Sequence, residues 1–438
     1  MVLFDFKRRQ SLEHTIEKPE LYLYALLSLV VVAGFAAGVL ADGTAAITGA
    51  WQLQTHPARL VNDFSQIAGP GAALVNATLV AAIALLLIWR SQISLSGPTI
   101  AAFFTVLGFG LFGKTPLNVI PIIAGVAISA RVSRHTFGEY ILIALFGTAL
   151  GPLVSAVAVE VGLSGIPAIA AALVGGLAAG FFLPPLAMAM LRLHQGYNLY
   201  NIGLTSGFLA LFAAGVLRAA DLTLHPGSEW NSAPSSLLIL LIPVLSAVLI
   251  ASALILGRGK VFADLREITT VSGRLPSDFV SSVSHGGALL NMGVMGIGFW
   301  AYVLVVGGDL NGPVLGGILT VIGFASFGKH ARNCWPIVVG VAAATLVFGR
   351  SLSDAGPLLA VLFGTTLAPL AGEFGWKLGI IAGFIHLVMV LQTGAWHAGI
   401  SLYNNGFAGG LTAAFLVAII EWRRTNKEKT EGFRSKRA

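Results

Sequence analysis

The stretch FGKTPLNVIPIIAGV, Phe112–Val126, returns later in the chain as FGKHARNCWPIVVGV, Phe327–Val341. Both copies set an asparagine four residues after the lysine and a proline three residues further on. Working outward at a shift of 215, Arg59–Ala127 lies on Arg274–Ala342 without a gap, with 24 identities in 69 positions. Arg59, Asp63, Asn76, Gly97, Pro98, Thr105, Lys114, Asn118 and Pro121 recur as Arg274, Asp278, Asn291, Gly312, Pro313, Thr320, Lys329, Asn333 and Pro336. Shared hydrophobicity does not put charges and prolines into one register, so the match reads as duplication.

Two further blocks keep the same order. LFGTALGPL (Leu145–Leu153) matches LFGTTLAPL (Leu362–Leu370), and HQGYNLYNIG (His194–Gly203) matches HAGISLYNNG (His397–Gly406). The chain divides into a first repeat, 1–222, a second repeat, 223–421, and a basic tail, 422–438.

The sequence around these blocks is that of a membrane protein. Only 10% of the 438 residues are charged, against about 25% in soluble domains. Runs such as Leu21–Leu40, Ala72–Trp89, Leu237–Leu256 and Val338–Gly349 are apolar, and about 20 helical residues cross a bilayer. The fold class is all-α and polytopic. Gly176 and Gly180, spaced for close helix approach, mark one helix contact. The net charge of +7 comes from the two ends and short loops, which fits cytoplasmic anchors and not nucleic acid. The single cysteine, Cys334, leaves no internal disulfide and no multi-cysteine metal site. The first apolar run has no A-x-A cleavage pattern and reads as a retained span.

Each half offers seven apolar segments: 21–41, 72–90, 98–113, 118–130, 138–158, 166–190 and 199–218, then 236–257, 287–307, 313–328, 333–349, 356–372, 377–394 and 400–421. An odd number of crossings per half inverts the second half. Positive charge in short loops favours the cytoplasmic side. Loop 42–71 has one Arg, whereas its counterpart 258–285 carries Arg258, Lys260, Arg266 and Arg274. Arg90, Arg131 and Arg134 mark cytoplasmic turns, and both termini come out cytoplasmic, in the plasma membrane. Arg59 and Arg350 run against this pattern. The third and fourth segments of each half fit either two full spans, 14 in all, or a re-entrant hairpin, giving 10 spans and two hairpins.

Inverted repeats place a solute site near the bilayer midplane, where broken helices meet. The repeated Gly-Pro, Phe-Gly-Lys and Asn-x-x-Pro elements would break helices in each half at matched depth. Asn118 and Asn333 offer amides to a solute, or cap half-helices. Lys114 and Lys329 either face an anion or snorkel to headgroups; a lysine held at depth costs about 3 kcal/mol. Tyr200 with Asn201, and Tyr403 with Asn404, offer hydroxyl and amide groups at the start of each seventh span. Thr105 and Thr320 are candidate cavity residues, as are Thr148 and Thr365 unless they bond back to their own helix. His194 reads as interfacial beside Arg192, His386 as packing, and Asn76 and Asn291 as helix glue. Glu160 and Glu373 are the candidate coupling carboxylates. The tail 422–438 reads as disordered near anionic lipid.

No Walker loop, dinucleotide fingerprint, HExxH or nucleophile elbow occurs. The doubled F-G-K-x-x-x-N-x-x-P element, with L-Y-N-x-G downstream, resembles a family of bacterial multi-span membrane proteins of unknown function with an internal repeat. That resemblance covers most of the chain and implies no substrate. The fragment YNNG is similar to the N-G-Y-N-G-like stretches of the urea-transporter family, also inverted repeats; urea is not carried over. The expectation is a transporter or channel for a small polar solute. The alternatives are an intramembrane enzyme acting on a lipid-linked substrate, or an assembly subunit. The expected partners are the lipid bilayer and that solute, with a homo-oligomer left open; no cofactor, catalytic residue or metal is expected.

Overall fold

The computed structural model describes residues 18–435, apart from 223, 225 and 226. The basic residues 7–9, expected as an anchor, lie outside the described residues. The first half runs α1 (Lys18–Asp42), α2 (Pro70–Arg90), α3 (Gly97–Phe109), α4 (Pro116–Val132), α5 (Phe137–Glu160), α6 (Gly165–His194) and α7 (Asn201–Ala219). The second repeats it as α8 (Ser236–Gly257), α9 (His285–Val305), α10 (Gly312–Phe324), α11 (Ala331–Val347), α12 (Ala355–Phe374), α13 (Trp376–Trp396) and α14 (Asn404–Ser435). Turns of 3-10 helix, Thr148–Leu150 and Thr365–Leu367, interrupt α5 and α12. Among the described residues there is no strand, only an isolated bridge between Asn62 and Glu229.

Ten of these helices are long and apolar enough to cross a bilayer, and α3, α4, α10 and α11 are shorter. Proline starts several of them. Pro70 and Pro116 stand at first helical positions, where their missing N–H costs nothing. Glycine sets the packing distance. A methyl group on Gly180 of α6 would lie 2.1 Å from the Ile122 carbonyl oxygen of α4, and one on Gly176 would meet Pro121. The same contact recurs where Gly383 of α13 meets Ile337 of α11.

The two short pairs are re-entrant hairpins. Lys114, in the turn between α3 and α4, is fully buried, as is Lys329 between α10 and α11. Asn76 Nδ2 donates to the Gly110 and Lys114 carbonyls at 2.7 and 2.8 Å, and Asn291 does the same for Ala325 and Lys329. Asn76 stands six residues inside α2, about 9 Å along its axis. The hairpin tip therefore stops inside the protein, short of the far end of α2. That leaves five crossings per half, ten in all, and the snorkelling reading of the lysines does not hold.

The halves are inverted. α3 and α10 pack antiparallel: Gly97 lies against Ser326 and Phe327, Gly108 against Gly316, and Gly312 against Leu111. Each hairpin starts under a cap from the other half. Asp278 Oδ1 accepts from the Gly97 N–H at 3.0 Å, and Asp63 accepts from Gly312. Burial pushes the Asp63 carboxyl above its usual range, against the donors from Ser65, Asn231 and Gly312.

Two faces result. On one, loop 43–69 pairs with linker 220–235 through Val61, Asp63 and Glu229. On the other, loop 258–285 meets the end of α6, where Arg274 Nε donates to the Gln195 carbonyl at 2.9 Å and Gln195 Nε2 to Glu421 of α14 at 2.8 Å. The first is the Arg59 face, the second the Arg274 face. Arg59 itself is ion-paired with Glu160, so that candidate coupling carboxylate is committed to a largely buried pair at the Arg59 face. The expectation of a disordered tail is corrected over 422–435, where α14 continues as one helix to Ser435; residues 436–438 lie outside the described residues.

A candidate solute cavity between the repeats

α7 and α14 begin beside each other and run apart. A methyl on Gly203 would lie 2.8 Å from Gly406 Cα, and one on Gly410 2.7 Å from Leu204. Only glycine allows backbones this near. The two Leu-Tyr-Asn-x-Gly elements thereby meet at the axis relating the halves. Their backbones are anchored alike: Leu199 N–H donates to the Thr366 carbonyl at 3.0 Å, and Leu402 N–H to that of Ala149 at 2.9 Å.

Above this crossing lies a cavity of about 540 Å³. Its walls take paired positions from both halves: Thr105 and Thr320, Phe109 and Phe324, Tyr200 and Tyr403. The lining is predominantly apolar. The mouth residues Arg192, Gln195, Pro276 and Ser277 lie on the Arg274 face. Their repeat counterparts, Ala395, Ala398, Val61 and Asn62, do not reach the cavity. The walls are twofold, and the opening is one-sided.

Behind the tyrosines stand the lysines. Lys114 Nζ donates to Tyr403 Oη at 2.9 Å, and Lys329 Nζ to Tyr200 Oη at 2.5 Å and Thr365 Oγ1 at 2.7 Å. Each amine also sits over two rings. Lys114 lies 4.8 Å from the Tyr403 centroid and 5.2 Å from Phe109; Lys329 lies 4.5 Å from Tyr200 and 5.2 Å from Phe324. Ring faces attract a cation, most strongly where water is excluded. Among the described residues, no carboxylate pairs with either lysine.

Five of the ten candidate residues line the cavity: Thr105, Thr320, Tyr200, Tyr403 and Asn201. Asn201 Oδ1 also meets His194 Nε2 at 3.0 Å, and Asn404 Oδ1 meets His397 Nε2 at 3.2 Å. His194 is fully buried at the end of α6. Asn404 stands outside the lining, its oxygen taken also by Thr393 Oγ1 at 2.6 Å. Asn118 and Asn333 do not line the cavity either. Asn118 Oδ1 accepts from Thr115 N–H at 2.9 Å, and its Nδ2 donates to the Gly113 carbonyl at 2.9 Å. Asn333 repeats both bonds with His330 and Gly328. These amides close the hairpin turns as caps. Thr148 and Thr365 bond back to Leu145 and Leu362.

Sequence reasoning missed one cluster. Asn405 lines the cavity, and its Oδ1 meets His386 Nε2 at 3.0 Å. Nearby, Thr366 Oγ1 donates to Asn198 Oδ1 at 2.5 Å. In the other half His386, Asn405 and Thr366 correspond to Leu183, Ile202 and Ala149. Polar residues where the repeat is apolar were the available signal.

The family model described as "Protein of unknown function (DUF1576)" matches residues 42–219 and again 258–422, and the chain belongs to this family. The double match restates the internal repeat. No curated protein and no solved structure matches, and the likeness to urea transporters gains no support.

Proposed function

We propose that this DUF1576 protein is a transporter, carrying a small solute through the cavity between its inverted repeats. The observation that carries the reading is twofold walls with a one-sided mouth. In an inverted repeat, each half can adopt the conformation of the other. Exchanging the two would close the mouth at Arg192 and Ser277 and open its counterpart at Ala395 and Asn62. This is alternating access, and a cavity reached from one face favours it over an open channel.

The solute is small, with a polar group for the threonine and tyrosine hydroxyls and an apolar body for the remaining wall. The Arg274 face carries Arg90, Arg131, Arg134, Arg258, Lys260 and Arg266 in its loops, and the Arg59 face only Arg59, Arg218 and Arg350. By the positive-inside rule the Arg274 face is cytoplasmic, with both termini, in the plasma membrane. The cavity then faces inward. Pairing of like polar residues across the repeat suits passage better than catalysis, which needs unlike groups in one cluster.

Uptake into proteoliposomes from a broad solute panel tests the proposal. Flux above that of empty vesicles, reduced by Tyr200→Ala and Tyr403→Ala, supports it. No flux for any solute counts against it and favours an assembly subunit.

A further inference from the structure

The cavity's charge balance is one-sided. Arg192 at the mouth is the charged residue of the lining, and no carboxylate joins it. Both α7 and α14 present their N-terminal turns to the cavity through Tyr200, Gly203, Tyr403 and Gly406. No side chain caps α7. A helix N-terminus carries about half a positive charge. Thr105 lines the same wall, is 2% exposed, and its hydroxyl has no protein partner. Lys114 and Lys329 add two buried amines that find hydroxyls and rings but no acid.

A buried ionised amine without a counter-ion is costly. Such an amine either takes a counter-ion or gives up its proton. Here the compensating acid is missing from both repeat-related positions. The tyrosines between amine and cavity carry the effect forward. A phenol oxygen that accepts from an amine has its own proton left to donate, and a polarised donor is a stronger one. Both halves aim an amine-backed phenol at one space, the second with Thr365 as an added acceptor for Lys329. The rest of the wall is aromatic and aliphatic, which excludes a small hydrated inorganic ion as the best fit.

We infer that the transported solute is an organic anion: one carboxylate-like group on an apolar body. The inference rests on the transport reading and names its substrate class. The negative group sits at the paired tyrosines and helix N-termini, as the counter-ion the protein does not supply. The apolar body packs on Phe109, Phe324 and their neighbours.

The test is binding, which does not depend on flux. Protein in lipid nanodiscs is dialysed against cyclohexanecarboxylate, cyclohexylmethanol or cyclohexylmethylammonium, with empty nanodiscs subtracted. These probes share a ring and differ in charge. The carboxylate is expected to bind at least tenfold more tightly than the other two. The Lys114→Met/Lys329→Met double variant is expected to lose that preference, and Lys114→Arg/Lys329→Arg to keep part of it. Equal or tighter binding of the alcohol or the ammonium probe overturns the inference, as does no binding of any. The wild-type comparison decides the matter even where the variants do not fold. Carboxylate binding without flux of any solute would overturn the transport reading and leave the anion site standing. Flux of neutral or cationic solutes without carboxylate preference would do the reverse.

Discussion

Lys114 of the first repeat donates to the hydroxyl of Tyr403 in the second, across 289 residues of chain. Lys329 returns the contact to Tyr200. Each re-entrant tip is thus tied to the helix start of the opposite half. The ties differ in one respect: Lys329 has Thr365 as a second acceptor, whereas at the equivalent place Thr148 bonds only to its own helix.

That difference predicts unequal costs. Tyr403→Phe leaves Lys114 without its side-chain acceptor, and a buried donor left unpaired costs about 1–3 kcal/mol. Tyr200→Phe leaves Lys329 with Thr365 and costs less. Thermal unfolding in one detergent should show the larger drop in midpoint for Tyr403→Phe. Equal drops would mean that the hydroxyl bonds do not hold the tips.

The α4–α6 contact depends on a missing side chain. Gly180→Ala puts a methyl against the Ile122 carbonyl, while Gly175→Ala on the same helix meets nothing within 4 Å. Overpacking of this kind costs about 1–3 kcal/mol. Gly180→Ala should lower folded yield and unfolding temperature, and Gly175→Ala should leave both unchanged. If the two behave alike, the helices do not pack as described.

The His386–Asn405 pair makes a coupled prediction. Asn405→Ile alone removes a bond to a buried imidazole and should cost about 1–3 kcal/mol. Adding His386→Leu gives the pair found in the other half and should recover most of that loss, since replacing both partners leaves nothing orphaned. A double-mutant cycle with additive effects would show that the residues act independently.

Inversion itself is open to a labelling test. In a Cys334→Ala background, single cysteines at Thr44 and Lys260 should react with an impermeant maleimide from opposite faces of the membrane. Reaction from one common face would refute the topology.

Much of this architecture was legible because it repeats. Arg59, Asn76 and Lys114 with their counterparts gave the duplication, and an odd crossing count with loop charges gave its inversion. The hairpins were not legible. Whether Lys114 lies in an aqueous turn or at depth depends on Tyr403, a partner no local pattern names. Asn118 and Asn333 show the converse: residues at the right spacing for a site, spent on closing a turn two bonds away. The repeat also hid the asymmetric cluster, since His386 and Asn405 matter by departing from it.

The central claim is that a single cavity on the axis of the repeats is reached from both faces in turn. Cysteines placed at Thr105 and Thr320, in the Cys334→Ala background, test it most directly. A small impermeant thiol reagent is applied to right-side-out and to inside-out vesicles. The account predicts that both positions are labelled in both preparations, faster from the Arg274 face in the resting state. Labelling from that face alone, under every solute condition tried, would contradict it.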